Sequence, residues 1–212
     1  KKRKIKLLKE ANYYTEEIRR VIKNNYGFDK LYAEGLSIKS ALDVDYQLHA
    51  LSALRSGIES YDRRHGWRGP ILNTKKIKNW QEKLKEKKID SSLGWKFVEI
   101  INIDESGLTF KTVSKKEQGK IKISNLKWAI NKTIHDAFKI NDIIFVNKNS
   151  KKEWELKQYP KVKGAIVAID PHSGKVKALV GGFSFELSEF NYRFTKSIKN
   201  LGKSMKINKI AK

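Results

Sequence analysis

Gly164-Ala165-Ile166-Val167-Ala168-Ile169-Asp170 is almost continuously apolar, as expected of a β-strand that is covered on both faces. Pro171-His172-Ser173-Gly174 follows and is typical of a tight turn, because proline presets φ and glycine accepts a left-handed conformation. Lys175-Val176-Lys177-Ala178-Leu179-Val180 predicts the returning partner strand, which ends at Gly181-Gly182. These residues therefore predict a β-hairpin.

Upstream of this hairpin, five short β-type runs predict a small closed or partly open barrel. Asp104-Glu105-Ser106-Gly107 separates the first two runs and predicts a hairpin turn. A barrel of the five-stranded OB type fits this number, and other small barrels share the same pattern. A Lys-rich helix is predicted before the runs, near residues 74–88. The five runs cover residues 96–103, 108–113, 120–123, 143–148 and 153–158.

The amino-terminal part of the chain predicts helices. Apolar residues recur near helical spacing over residues 4–26, and we expect Gly27 to end that helix. Residues 35–42 alternate apolar and polar side chains, which predicts a short half-buried strand. Asp43 is the predicted N-cap of a second, amphipathic helix, whose apolar residues lie on one face over 43–61.

The composition excludes several classes of protein. Hydrophobic residues make up 39% of the 212 residues, which permits a packed core and argues against wholesale disorder. No stretch approaches the ~20 consecutive apolar residues of a membrane-spanning helix. There is no cysteine, and the four histidines lack the spacing of a zinc cluster, so we expect no metal and no cofactor.

The net charge of +23 has two interpretations. A polyanion partner such as nucleic acid or an anionic membrane would favour a basic surface. However, the basic residues are mostly lysine and are spread along the chain, whereas a phosphate-reading surface more often concentrates charge and uses arginine. We therefore favour codon composition and solubility, with a functional polyanion surface as the alternative.

Several ordered motifs carry a family resemblance. Tyr13-Tyr14-Thr15-Glu16-Glu17-Ile18-Arg19-Arg20 is followed by Gly35-Leu36-Ser37-Ile38 and then by Tyr61-Asp62-Arg63-Arg64-His65-Gly66-Trp67-Arg68-Gly69-Pro70. The predicted hairpin then ends in Val180-Gly181-Gly182-Phe183. In this order, the motifs resemble class A penicillin-binding proteins of the 1A type over residues 10–206.

The resemblance implies an α+β chain with three parts. Residues 1–66 would form linker helices with the first strand and helix of the transpeptidase domain, residues 67–158 a small five-stranded OB-like β-barrel, and residues 159–212 a truncated transpeptidase start with its partial hairpin. The parent family is implied to make cell-wall peptidoglycan and maintain cell shape at the periplasmic face of the inner membrane. Its members act as glycosyltransferases and DD-transpeptidases.

The chain departs from the family at the transpeptidase motif. Asn200-Leu201-Gly202-Lys203-Ser204-Met205-Lys206 corresponds to a motif in which a nucleophilic serine lies three residues before a lysine. Gly202 and Lys206 match, but Lys203 occupies the nucleophile's position. Ser204 would lie about 200° from Lys206 on a helix, so the lysine could not activate it. We therefore expect a catalytically inactive fragment that lacks a membrane anchor and a signal peptide. The sequence does not indicate its cellular location.

Trp67, Arg68 and Trp128 are the candidate binding residues. The first two belong to a loop that could hold an anionic ligand, and Trp128 could stack bases in an OB groove. The competing interpretation is structural: Asp62 pairs with one of the two arginines that follow it, and the tryptophans fill contacts between the barrel and a helix. Expected partners are the remainder of the same synthase or peptidoglycan. Single-stranded nucleic acid or another polyanion is a partner only if the chain is a stand-alone OB-fold module.

Overall fold

The computed structural model describes residues 8–33, 36–87 and 89–188. It confirms the predicted α+β class, with helices and antiparallel sheets throughout the described residues. The helices are α1 (Asn12–Tyr32), α2 (Val44–Arg64), α3 (Trp80–Glu86), α4 (Ile134–Ala137) and α5 (Phe185–Ser188). The strands are β1 (Leu72–Asn73), β2 (Lys96–Asp104), β3 (Gly107–Thr112), β4 (Gln118–Lys122), β5 (Asp142–Lys148), β6 (Trp154–Lys157), β7 (Ile166–Ile169) and β8 (Val176–Val180).

The described residues form two compact units. The first unit contains the residues up to Ile58 together with those from Lys163 onward, and the second unit runs from Glu59 to Val162. The last turns of α2 therefore belong to the second unit, since α2 ends at Arg64. The predicted boundaries, after residues 66 and 158, stay predictions.

The first unit packs α1 and α2 with the β7–β8 hairpin. Tyr14 is buried with Val176 and Leu179, and its hydroxyl donates to the Val176 carbonyl oxygen at 2.8 Å. Asp43 caps α2 as predicted, because its Oδ1 accepts the backbone N–H of Asp45 at 3.1 Å. Gly27, where we expected the first helix to end, has a non-helical backbone at a kink, but α1 continues beyond it to Tyr32.

One element predicted for the first unit does not form. Residues 36–42 contain no strand, and Gly35 lies outside the described residues. The backbone of this stretch meets β8 only at its end, where Asp43 N donates to Lys177 O at 2.9 Å. Leu36 and Ile38 are half-buried, while the residues that alternate with them are exposed. The alternation therefore reports side-chain burial and not pairing in a sheet.

The predicted hairpin near the carboxyl end is confirmed. β7 and β8 pair antiparallel from Ile166↔Val180 to Ile169↔Val176, and Gly174 N donates to Asp170 O at 2.8 Å in the turn. The expectation that the first strand is covered on both faces is wrong for the residues described, because β7 is only half-buried and Ile169 is 44% exposed. In the described structure β7 pairs only with β8.

The second unit is the predicted small barrel. Strands β6, β5, β2, β3 and β4 are neighbours in that order, and all are antiparallel. Among the described residues no backbone ladder joins β4 to β6, but Lys122 at the end of β4 lies with its Nζ 2.6 Å from Oε1 of Glu153, the residue just before β6. This is a partly open, five-stranded barrel of the OB type. Its interior is an apolar core that includes Val98, Ile100, Leu108, Phe110, Ile121, Leu126, Phe138, Ile144, Val146 and Leu156.

Two short elements of this unit differ from the prediction. The two-residue strand β1 was not predicted, and it pairs with β5 at Leu72↔Ile143. The Lys-rich helix predicted for residues 74–88 is shorter, because Asn79 has a left-handed backbone that does not continue a helix and α3 begins only at Trp80. None of the helices described here is both long and apolar enough to cross a lipid bilayer.

Candidate functional site

A buried carboxylate organises the start of the second unit. Asp62 lies in the last turn of α2 and is only 2% exposed. Its two oxygens accept two hydrogen bonds from the guanidinium of Arg68, both at 2.9 Å. They also accept one from the Gln158 amide at 2.8 Å and one from the backbone N–H of Lys161 at 3.1 Å. We call Asp62, Arg68, Gln158 and Lys161 the Asp62 cluster.

The local sequence explains how Arg68 reaches Asp62. Helix α2 ends at Arg64, and Gly66 N donates to Arg63 O at 3.0 Å as the chain turns. Arg68 therefore returns toward the helix that precedes it. Gln158, which follows β6, holds the turn from the other side, because its amide also donates to Gly66 O at 3.1 Å. The Asp62 cluster thus ties the end of α2 to the residues that follow the last strand of the barrel.

Opposing effects act on the pKa of Asp62. Burial by itself would raise it, because a charged carboxylate is less stable away from water. The hydrogen bonds from Arg68 and from the Lys161 backbone, together with the positive charge of Arg68, outweigh burial and lower the pKa. Asp62 is therefore held as an ionised carboxylate whose charge is matched inside the unit.

A second set of ion pairs surrounds this cluster. Lys157 Nζ lies 2.7 Å from Glu59 Oε2 and 3.6 Å from Glu155 Oε2, and Arg63 lies 3.4 Å from Glu155. A cavity of about 10 Å³ beside these residues has room for roughly one water molecule. The space is too small for an organic substrate, and the charges around it are already paired.

The three candidate binding residues do not form one open site. The rings of Trp67 and Trp128 meet edge to face at 5.9 Å, and both pack against the barrel core. Trp67 Nε1 donates to Ala137 O at 3.3 Å, and the Arg63 guanidinium lies 5.2 Å from the Trp128 ring centroid. Arg68 points instead to Asp62, so the expected pairing of Asp62 with its next two neighbours is wrong.

The remaining predicted residues cannot be placed. Gly202, Lys203 and Lys206 lie outside the described residues. Where the structure is described, no three His, Cys, Asp or Glu side chains come together as metal ligands. No motif in the sequence marks Gln158 or Lys161 as a member of a site. Their only sequence signal is a glutamine and an N–H donor at the end of a predicted strand.

The Asp62 cluster has a structural role. Both Nη atoms of Arg68 donate to Asp62, so the positive charge of Arg68 is matched by a carboxylate of the same unit. The cluster contains no nucleophilic side chain paired with a base. The geometry therefore supports a positioning role, in which the cluster ties the last turn of α2 to the residues that follow β6 within the second unit.

Comparison with known proteins gives a consistent result. Residues 67–162 match the family model described as the penicillin-binding protein OB-like domain. Penicillin-binding protein 1A of Rickettsia typhi is 34% identical over 196 residues, which cover 91% of this chain and 24% of the relative. The corresponding protein of Haemophilus influenzae is 27% identical over 200 residues, which cover 92% and 23%.

A solved structure supports the same relationship. The crystal structure of penicillin-binding protein 1A from Haemophilus influenzae matches with a TM-score of 0.70 and 25% identity, covering 88% of this chain and 28% of that one. This chain thus spans about a quarter of the length of the curated relatives. These matches give no support to the alternative of a stand-alone module for nucleic acid.

Proposed function

Because the chain shares its sequence and fold with one part of the penicillin-binding proteins 1A, we propose that it serves peptidoglycan synthesis as that part of a synthase. The observation that carries the proposal is 34% identity over 91% of the chain, together with the matching fold. In this proposal the barrel is the OB-like domain, and the first unit contributes linker helices and the β7–β8 edge of a transpeptidase domain.

The proposed role of the chain itself is structural and not catalytic. The resemblance requires a serine three residues before a lysine, and Lys203 stands at the serine's position. A lysine ammonium cannot form the acyl ester through which penicillin labels these enzymes. The Asp62 cluster supports this role, since it provides rigidity without a nucleophile.

The first unit carries exposed apolar side chains that we expect a partner to cover. Exposed large apolar side chains usually mark an interaction surface when they are grouped. Seven of the nine in the described residues belong to the first unit: Tyr26, Phe28, Tyr32, Val44, Tyr46, Leu48 and Ile169. The relatives are about four times longer than the segment matched here. We propose that the remainder of the same synthase covers these side chains, at the periplasmic face of the inner membrane.

A chimera tests the proposed function. Residues 59–162, the whole second unit with its Asp62 cluster, would replace the corresponding residues of the Rickettsia typhi relative, and a fluorescent penicillin would report whether the transpeptidase site still forms. We expect covalent labelling close to that of the unaltered relative, with a deletion of the same domain as the control. A chimera that folds but labels no better than the deletion would contradict the proposal.

Direct labelling tests the inactive state. The chain and its Lys203→Ser variant would be incubated with fluorescent penicillin beside the complete Haemophilus influenzae relative. We expect label only on the relative, because a serine alone does not supply the other groups that bind and activate the lactam. A β-lactam ester on the unaltered chain, found by mass spectrometry, would refute the inactive role.

A further inference from the structure

Trp154 carries two ammonium groups over its ring. Lys148 Nζ lies 4.9 Å from the ring centroid, and Lys96 Nζ lies 5.5 Å from it. Trp154 and Lys148 are direct partners in the β5–β6 ladder, and Lys96 comes from β2, which pairs with β5 on its other side. Three adjacent strands therefore bring one indole and two cations to the same place on the barrel.

Residues of the barrel core pack against the Trp154 indole and hold it in place. Phe110, which is fully buried, meets the Trp154 ring edge to face at 5.4 Å. On β4, Gly119 leaves the space that the ring needs, because a β-carbon there would lie 3.0 Å from Trp154 Nε1 and 2.5 Å from Phe110. The half-buried indole is thus a rigid platform and not a loosely attached surface side chain.

The cations of this platform are incompletely neutralised. Among the residues that the structure describes, Lys148 has no carboxylate within 4.0 Å, and the carboxylate nearest Lys96 is that of Glu117 at 4.0 Å. By contrast, the neighbouring Lys122 is paired with Glu153 at 2.6 Å. The positive charge over the indole can therefore accept an anionic group without breaking a close internal ion pair.

We propose that Trp154, Lys148 and Lys96 form a binding site for a carboxylate-bearing oligosaccharide. The carboxylate accepts hydrogen bonds from the two lysines, whose ammonium groups move off the indole toward it. The apolar face of the sugar ring then stacks on the indole that the ammonium groups had covered. OB-type barrels bind oligosaccharides as well as oligonucleotides. The choice of a cell-wall glycan rests on the proposed function, because a peptidoglycan synthase works beside such polymers.

The structure favours a glycan over single-stranded nucleic acid. Proteins that bind single strands offer aromatic platforms for successive bases. Here Trp67 and Trp128 pack against each other and the core, so they do not continue the platform of Trp154. One indole with two cations suits one sugar ring with one acidic substituent.

A titration with three probes tests the site. The whole chain would be titrated by calorimetry with soluble, uncrosslinked peptidoglycan strands, with neutral chitotetraose and with an oligothymidylate. We expect the carboxylated strands to bind at least about tenfold more tightly than chitotetraose, since a charge-assisted contact is worth that much. Lys148→Gln should weaken binding of these strands by about tenfold, while Lys151→Gln, on a lysine that contacts no ring in the described structure, should change it less than about twofold.

Each outcome bears on the site. Tighter binding of the carboxylated strands together with loss in Lys148→Gln supports it, provided that circular dichroism shows an intact fold. Equal affinity for chitotetraose, no binding of any probe, preference for the oligothymidylate, or equal loss in both lysine variants would overturn it. Penicillin labelling of the chimera does not depend on Lys148, so the proposed function and this site can fail separately.

Discussion

Replacing Asp62 by alanine should destabilise the second unit more than any surface charge change. The substitution removes the acceptor for four hydrogen bonds of 2.8–3.1 Å. It leaves the guanidinium of Arg68 and the amide of Gln158 facing a buried, empty position. The perturbation therefore combines the loss of an ion pair with the cost of leaving a partly buried guanidinium without its counter-charge.

The expected magnitude follows from burial. Breaking a buried ion pair by removing one partner costs about 3–5 kcal/mol. Domains of this size are stable by about 5–15 kcal/mol, so the loss is a large fraction of the total. With a urea dependence of about 1–3 kcal/mol per molar, the unfolding midpoint should fall by about 2 M. Asp62→Ala/Arg68→Ala should lose less than the sum of the two single variants, because neither partner is then left alone.

Tryptophan fluorescence provides the assay. All five tryptophans of the chain lie between residues 67 and 154, inside the second unit, so their emission reports on that unit alone. Glu117→Gln is the matched control, since its contact with Lys96 is an exposed pair at 4.0 Å and should be worth less than about 1 kcal/mol. If Asp62→Ala shifts the urea midpoint no more than Glu117→Gln does, the Asp62 cluster does not stabilise this unit.

Three further outcomes are expected. Gly107→Ala should lower the urea midpoint of the second unit sharply, because its β-carbon would lie 1.9 Å from a carbonyl oxygen of β4. By contrast, Gly57→Ala in α2 should stabilise the chain by about 0.5–1 kcal/mol, because a β-carbon there meets nothing within 4 Å. Gln47→Ala should lower the stability of the first unit by about 2–4 kcal/mol as measured by hydrogen exchange, since Gln47 is fully buried with three hydrogen bonds to backbone groups. The control His49→Ala, at an exposed residue of the same helix, should change that stability very little. Because folding lowers the pKa of Asp62, its contribution is complete above the ordinary value of 3.8 and is lost as the pH falls below it, so acid titration by fluorescence should show a flatter stability profile for Asp62→Asn.

The barrel was largely predictable from local patterns. The predicted strands at 96–103 and 108–113 agree with β2 and β3 to within about a residue, because apolar runs bounded by turn residues mark strands directly. Strand β1 has only two residues and is too short for such a pattern. Residues 36–42 show the converse, since an alternating pattern can record burial without a neighbouring strand.

The Asp62 cluster was not predictable in the same way. Its partners Gln158 and Lys161 lie 96 and 99 residues farther along the chain, and no local pattern links them. The local sequence predicts that Asp62 pairs with Arg63 or Arg64, its immediate neighbours. On a helix, however, consecutive residues point in different directions, whereas the turn after α2 brings Arg68 back to Asp62.

The Asp62 cluster at the end of α2 determines where the second unit can be cut from the chain with its internal ion pairs intact. The family match begins at residue 67, so a piece cut at that limit would retain Arg68 and discard the carboxylate that neutralises it. It would also lose Glu59, the acceptor for Lys157. An independently folding barrel should therefore start at residue 59, and the shorter piece should be less stable because Arg68 and Lys157 lose their carboxylate partners.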